Sequence, residues 1–168
     1  SCIQGVCAVN GDFFNDEELF QYVDKADVII HAISTISTNN ASEVYMRGYE
    51  KDLIQTIKLF DYASKNDKRV IFLSSGGTVY GNPQMIPTPE EVCQNPISHY
   101  GAIKLCAEKV AQVFNRQYGN NIICLRLANP YGPGQDFTKG IGFVDALPIL
   151  GAGSIIVPWA IISAINGD

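Results

Sequence analysis

"ADVIIHAIS", residues 26–34, is an apolar run broken by one acid at its start and one histidine near its end. Strict alternation would mark a strand with one wet face. An unbroken run marks a strand covered on both faces, as in a parallel sheet. "RVIFLSS", residues 69–75, reads the same way. Between them, roughly from Ser42 to Asn66, Leu53, Ile57, Phe60 and Ala63 recur at three- and four-residue steps, which predicts a long helix. Upstream, residues 6–10 form a short apolar run that turns at Asn10-Gly11 and predict a strand. Asn15, with Glu18 three positions later, then marks a helix start. Downstream, Ile103, Ala107, Val110 and Phe114 predict a helix after a proline-rich loop over 81–97, and "NIICLRLAN", residues 121–129, predicts another strand. Strands alternating with helices require parallel pairing, so the expected fold is a doubly wound α/β sheet.

The 168 residues fit one ordinary domain, and the net charge of -5 argues against a nucleic-acid partner. Cys2, Cys7, Cys93, Cys106 and Cys124 are odd in number and scattered, with no CxxC pair. Reduced thiols are therefore expected, with neither a disulfide framework nor a metal site. No basic n-region precedes an apolar run at the N-terminus, and a cytoplasmic location is expected. Residues 146–167 carry no charge and are long enough to span a bilayer. Pro148, Gly151, Gly153 and Pro158 interrupt them and no Lys or Arg closes them, so buried strand and helix are expected rather than a membrane span.

"ISHYGAIK", residues 97–104, places Tyr100 and Lys104 one helical turn apart. An ammonium beside a phenol favours the phenolate, which makes a base of a group otherwise inert at neutral pH. The spacing alone is weak, because a surface pair would look the same. Context strengthens it: "FLSSGGTVYG" puts Ser75, Gly76, Gly77 and Thr78 at a strand end, and ligands of open parallel sheets sit beyond the carboxyl ends of the strands. The glycines allow close backbone approach, and Ser75 or Thr78 offers a hydroxyl. His31 and His99 have no carboxylate or cysteine at a triad or ligand spacing and are left to packing or solvent.

"SSGGTVYG", then "YGAIK", then "LRLANPYGPGQ", in that order, resemble the NAD-dependent epimerase/dehydratase family, the extended short-chain dehydrogenases that act on nucleotide sugars. The likeness covers about residues 6–140 and implies a Rossmann-like domain over 1–140, with the atypical 141–168 beginning a substrate-binding region. It implies NAD as cofactor, a nucleotide-sugar substrate and a homodimer. By position, Tyr100 resembles the catalytic base, and Lys104 the residue that lowers its pKa and holds the nicotinamide ribose. Asp12 and Phe13 resemble the adenine-facing segment, and Ala32, Ile33 and Ser34 the turn along the cofactor. Asn129 and Tyr131 resemble substrate contacts, with Pro130 and Tyr131 near the nicotinamide.

Several positions depart from the family. Where the catalytic hydroxyl often stands, this chain has Gly76, so the role falls to Ser75 or Thr78. Ser75 is favoured because it precedes Tyr100 by 25 residues. Asp52 stands where many members place an asparagine. No Asp or Glu occupies the "SSGGT" positions, which favours an epimerase over a dehydratase. A reductase, or a non-catalytic binding module, are the rival readings. The phosphate-cradling glycine loop, and with it the first βαβ unit, is absent from the sequence. The chain is therefore expected to be the middle of such an enzyme, and "LGAGSII" does not replace the loop because Ile156 breaks G-x-G-x-x-G.

Overall fold

In a computed structural model the described residues are 7–37, 41–119 and 121–128. In chain order they form α1 (Asp16–Lys25), β1 (Val28–His31), α2 (Ala41–Arg47), a π-helical segment (Gly48–Leu53), α3 (Ile54–Lys65), β2 (Arg69–Ser75), α4 (His99–Tyr118) and β3 (Ile122–Leu127). The three strands lie in the order β1-β2-β3 and are all parallel, with Ile30 opposite Ile71 and Ser74 opposite Arg126. This is the α/β architecture expected of alternating strands and helices.

Local chemistry explains the helix ends. The Asn15 side chain accepts the backbone N–H of Glu18, and Asp16, Glu17 and Glu18 fill the first turn of α1, where the helix dipole favours negative charge. Ser98 caps α4 by accepting the N–H of Gly101 at 3.1 Å. At its other end α4 stops at Gly119, whose φ of +100° is open to glycine at little cost. The core joins Phe60 and Ala63 of α3, Val70 and Phe72 of β2, Ala107 and Ala111 of α4, and Ile122 of β3. Phe60 meets Phe72 edge-on, the preferred aromatic geometry. Helices α3 and α4 therefore cover the face of the sheet that carries Val70 and Phe72.

Three expectations need correction. Residues 7–10 are exposed and form no strand, because a strand exists by pairing and no described strand lies beside them. The strand expected over 26–34 is only Val28–His31, and it is not covered on both faces: Val28 is 47% and Ile30 67% exposed. Among the described residues β1 has one neighbour, β2, and is an edge. The long helix is present but kinks at Val44 and passes through the π segment. The 140/141 domain boundary and the uncharged stretch 146–167 lie outside the described residues. Among those described, no helix is long and apolar enough to cross a membrane.

Candidate active site

Helix α4 begins at the carboxyl end of the sheet and carries Tyr100 and Lys104 on successive turns. Gly101 sets how closely this helix start approaches the loop after β2: a Cβ there would lie 2.6 Å from the Thr78 carbonyl oxygen. Lys104 is 5% exposed, and its Nζ donates to the Leu73 carbonyl at 2.9 Å. The ammonium lies 4.7 Å from the Phe72 ring centroid and 5.7 Å from that of Tyr100. Tyr100 is half-buried against the small cluster of Ile36 and Ile103, which Tyr49 and Leu53 also join. Burial raises the Tyr100 phenol above its ordinary value and lowers Lys104 to about 8. In the protein alone, burial thus disfavours the charged forms of both groups.

At the end of β2 the two serines part company. Ser74 is buried on the helix side, where its hydroxyl donates to Glu108. Ser75, the next residue, stands on the opposite face. The backbone N–H of Gly76 donates to the Leu127 carbonyl at 2.8 Å, extending the ladder to β3. A Cβ at Gly76 would meet the Arg126 carbonyl at 3.0 Å, so this close strand-to-strand approach suits glycine and leaves a serine there crowded. The chain then turns, with the N–H groups of Thr78 and Val79 both donating to the Ser75 carbonyl. Among the described residues, Thr78 Oγ1 is buried with no hydrogen-bond partner. Buried hydroxyls in native proteins are usually paired, with protein groups or with ordered water.

The turn after β1 holds Ala32, Ile33 and Ser34, all exposed. It is anchored by Asp52, whose Oδ2 accepts the Thr35 N–H at 2.6 Å while Oδ1 accepts the Thr35 hydroxyl at 2.8 Å; the Ser34 hydroxyl, 3.1 Å from Oδ2, lies closer to the Ile36 carbonyl, at 2.8 Å. Asp12 closes a tight turn before α1 by accepting the Phe14 N–H at 2.9 Å, and Phe13 stacks on His31 at 5.1 Å. His31 is buried. Its Nε2 lies 2.8 Å from the Thr56 hydroxyl, which itself donates to the Asp52 carbonyl; Nε2 is therefore the protonated nitrogen. His99 stacks on Tyr45 at 4.3 Å, with its Nδ1 3.3 Å from the Tyr49 hydroxyl.

Burial lowers His31 to about 4, with the Lys104 charge adding to the effect. Its folded value lies below its ordinary 6.5, so between the two the unfolded chain binds the extra proton. Stability should therefore fall as pH drops from about 6.5 towards 4, by roughly 3 kcal/mol in all. Thermal melts of wild type and His31→Gln check this: the variant should lose a large part of the acid sensitivity. Equal acid sensitivity in the two would exclude His31 as its source.

A second buried cluster went unseen in the sequence. Glu108, 2% exposed, receives Arg126 through Nε at 3.1 Å and Nη2 at 2.7 Å. Arg126 Nη1 donates to the Tyr80 hydroxyl at 2.7 Å and to the Glu90 carbonyl at 3.2 Å. The guanidinium thus ties β3, α4 and the loop after β2 together, and Glu108 holds it firmly protonated. Asn129, Pro130 and Tyr131 lie outside the described residues. Among those described, no three metal-ligating groups cluster and Cys7, Cys93, Cys106 and Cys124 are free.

The chain is similar to several known proteins. UDP-glucose 4-epimerase of Pisum sativum is 30% identical over 125 residues, 73% of this chain and 36% of its own. The crystal structure of UDP-glucose 4-epimerase from Thermotoga maritima with UDP-glucose is 30% identical, with a TM-score of 0.69 over 75% of this chain and 42% of that one. The Thermus thermophilus UDP-glucose 4-epimerase complex with NAD is 25% identical, with a TM-score of 0.72 over 80% of this chain and 45% of that one. The chain thus spans less than half the length of these relatives. Residues 1–147 match the NAD dependent epimerase/dehydratase family, and the chain belongs to that family.

Proposed function

We propose that the intact protein containing this chain is an NAD-dependent epimerase that inverts the sugar of a nucleotide sugar, with UDP-glucose as the first substrate to test. The observation that carries this reading is that Tyr100 and Lys104 stand together at the start of α4, with the ammonium 5.7 Å from the ring centroid, against the loop that holds Thr78. The exposed turn Ala32–Ser34, with Asp12 and Phe13 upstream, offers the neighbouring surface along which the cofactor would run. Pro130, Asn129 and Tyr131 complete the set by their resemblance to family positions. When bound, NAD supplies a reversible hydride acceptor. Tyr100 takes the proton from the reacting sugar hydroxyl and returns it; Lys104 holds its charge beside the phenolate; and Thr78 or Ser75 donates a hydrogen bond to the same oxygen. A homodimer and a cytoplasmic location belong to the same reading, carried over from the family resemblance. Purified intact protein should convert UDP-glucose to its C4 epimer. An intact, NAD-loaded protein that leaves every UDP-sugar unchanged would refute the reading.

Which hydroxyl serves is decided by kinetics on the intact protein. The buried, unpaired Oγ1 favours Thr78, whereas the 25-residue interval to Tyr100 favours Ser75. Removing the donor should cost about 2 to 4 kcal/mol in the transition state. Thr78→Val should show that loss in kcat and Ser75→Ala should stay near wild type. The reverse pattern would assign the role to Ser75.

A further inference from the structure

Thr78 and Tyr100 stand at the two ends of one long loop. The chain leaves β2 through Thr78, Val79 and Tyr80, runs outward, and returns to the Ser98 cap of α4. The ends of the loop meet through residues that lack a Cβ. The Thr78 carbonyl packs on Gly101, and a Cβ on Gly81 would overlap the Asn95 carbonyl oxygen. Farther out, where Met85 and Ile86 are exposed, the loop bonds to itself: the Thr88 hydroxyl donates to the Met85 carbonyl at 3.0 Å.

Arg126 ties this loop to the sheet. Its Nη1 donates to the Tyr80 hydroxyl at 2.7 Å and to the Glu90 carbonyl at 3.2 Å, one contact before the exposed tip and one after it. The guanidinium carbon also lies 5.0 Å from the Tyr80 ring centroid, a favourable placing of a cation. The opposite edge of the same guanidinium, Nε and Nη2, is held by Glu108, which also accepts the Ser74 hydroxyl. A buried ion pair often adds little stability over apolar packing of the same volume. What a guanidinium adds is direction. Its donors are fixed in one plane, so Glu108 on one edge decides where Tyr80 and Glu90 sit on the other. A lysine ammonium has a single nitrogen and cannot serve both edges.

We propose that Arg126 is a positioning residue of the active site: aligned by Glu108, it clamps Tyr80 and the Glu90 carbonyl and so fixes Thr78 against the Tyr100 end of the same loop. Arg126 acts through the loop and not on the sugar. Its loss should therefore misplace a hydroxyl relative to the phenol while both groups remain present.

The catalytic consequence rests on the epimerase reading, whereas the placement of Thr78 does not. Intact protein is labelled with 13C in its threonine methyl groups, and the Thr78 signal is read without substrate in wild type and in Arg126→Lys. This variant keeps a cation opposite Glu108 and loses the second edge. The Thr78 signal should move, and that of Thr56 on α3 should stay near wild type. A loss of stability alone would shift neither in the folded protein. An unmoved Thr78 signal in folded Arg126→Lys would overturn the proposal. Should that variant not fold, Tyr80→Phe, which removes one of the two clamped groups, should move the same signal by less; an unmoved signal would overturn the proposal equally. With UDP-glucose, Arg126→Lys should lower kcat by about 10- to 100-fold and leave KM near wild type. A wild-type kcat in the variant would overturn the proposal as well. An intact wild type that turns over no UDP-sugar would refute the epimerase reading instead, and the Thr78 signal would still decide the clamp.

Discussion

Tyr100→Phe in the intact protein should lower kcat by about two to four orders of magnitude and leave the fold unchanged. The variant keeps the ring, and with it the packing against Ile36 and Ile103. Only the hydroxyl is lost, which is the group that can exchange a proton with the sugar. Tyr49 and Tyr80 supply the contrast. Tyr49 reaches His99, and Tyr80 receives Arg126 and contacts the Glu90 carbonyl, so their phenylalanine variants should show modest losses. Circular dichroism and steady-state kinetics on the three variants separate the two kinds of effect. Retention of most activity by Tyr100→Phe would remove Tyr100 from the chemistry.

Arg126→Ala should destabilise the protein by about 3 to 5 kcal/mol, because it leaves Glu108 charged, buried and without its cation. The two ends of this pair are not equivalent. The Glu108 side chain is 3% exposed and the Arg126 side chain 20%. Glu108→Gln leaves the more accessible partner, which still donates to Tyr80 and Glu90 and can reach water. It should cost less than Arg126→Ala, and urea unfolding of both variants measures the difference. Equal losses, or losses under about 1 kcal/mol, would mean that the cluster relaxes instead of stranding a charge.

How much of this was legible in the sequence depended on where each residue's partners lie. Strand β2 and helix α4 were readable because their apolar spacing is dense and their burial is local. Residues 7–10 have the composition of a strand, but pairing makes the strand, and composition does not report pairing. The same applies to Val28 and Ile30, which are exposed because they point to the sheet face opposite α3 and α4, and an apolar run cannot announce whether that face is covered. The π segment escaped notice because the apolar positions that marked the helix, Leu53, Ile57, Phe60 and Ala63, begin only at its last residue. Glu108 lies four residues after Lys104, on the helix face that Tyr100 and Lys104 share. Its true partners come from β2 and β3 through the sheet register, beyond the reach of helical spacing. The two-residue period of a strand puts Ser74 and Ser75 on opposite faces, but which serine faced the helices was settled by Glu108. Thr78 lies past two glycines, so its direction became known only from the fold. Asp52 was visible as a departure, and its grip on Thr35 was not.

The claim that Tyr100 and Lys104 serve a reversible oxidation of a nucleotide sugar is tested most directly with UDP-glucose carrying deuterium at C4. The label leaves the carbon and returns to its other face within the active site. Intact protein should therefore yield the C4 epimer with the deuterium retained, and Tyr100→Phe should yield almost none. Inverted product that has exchanged its label with solvent would contradict a hydride route. Product formed equally well by Tyr100→Phe would contradict the assignment of the base.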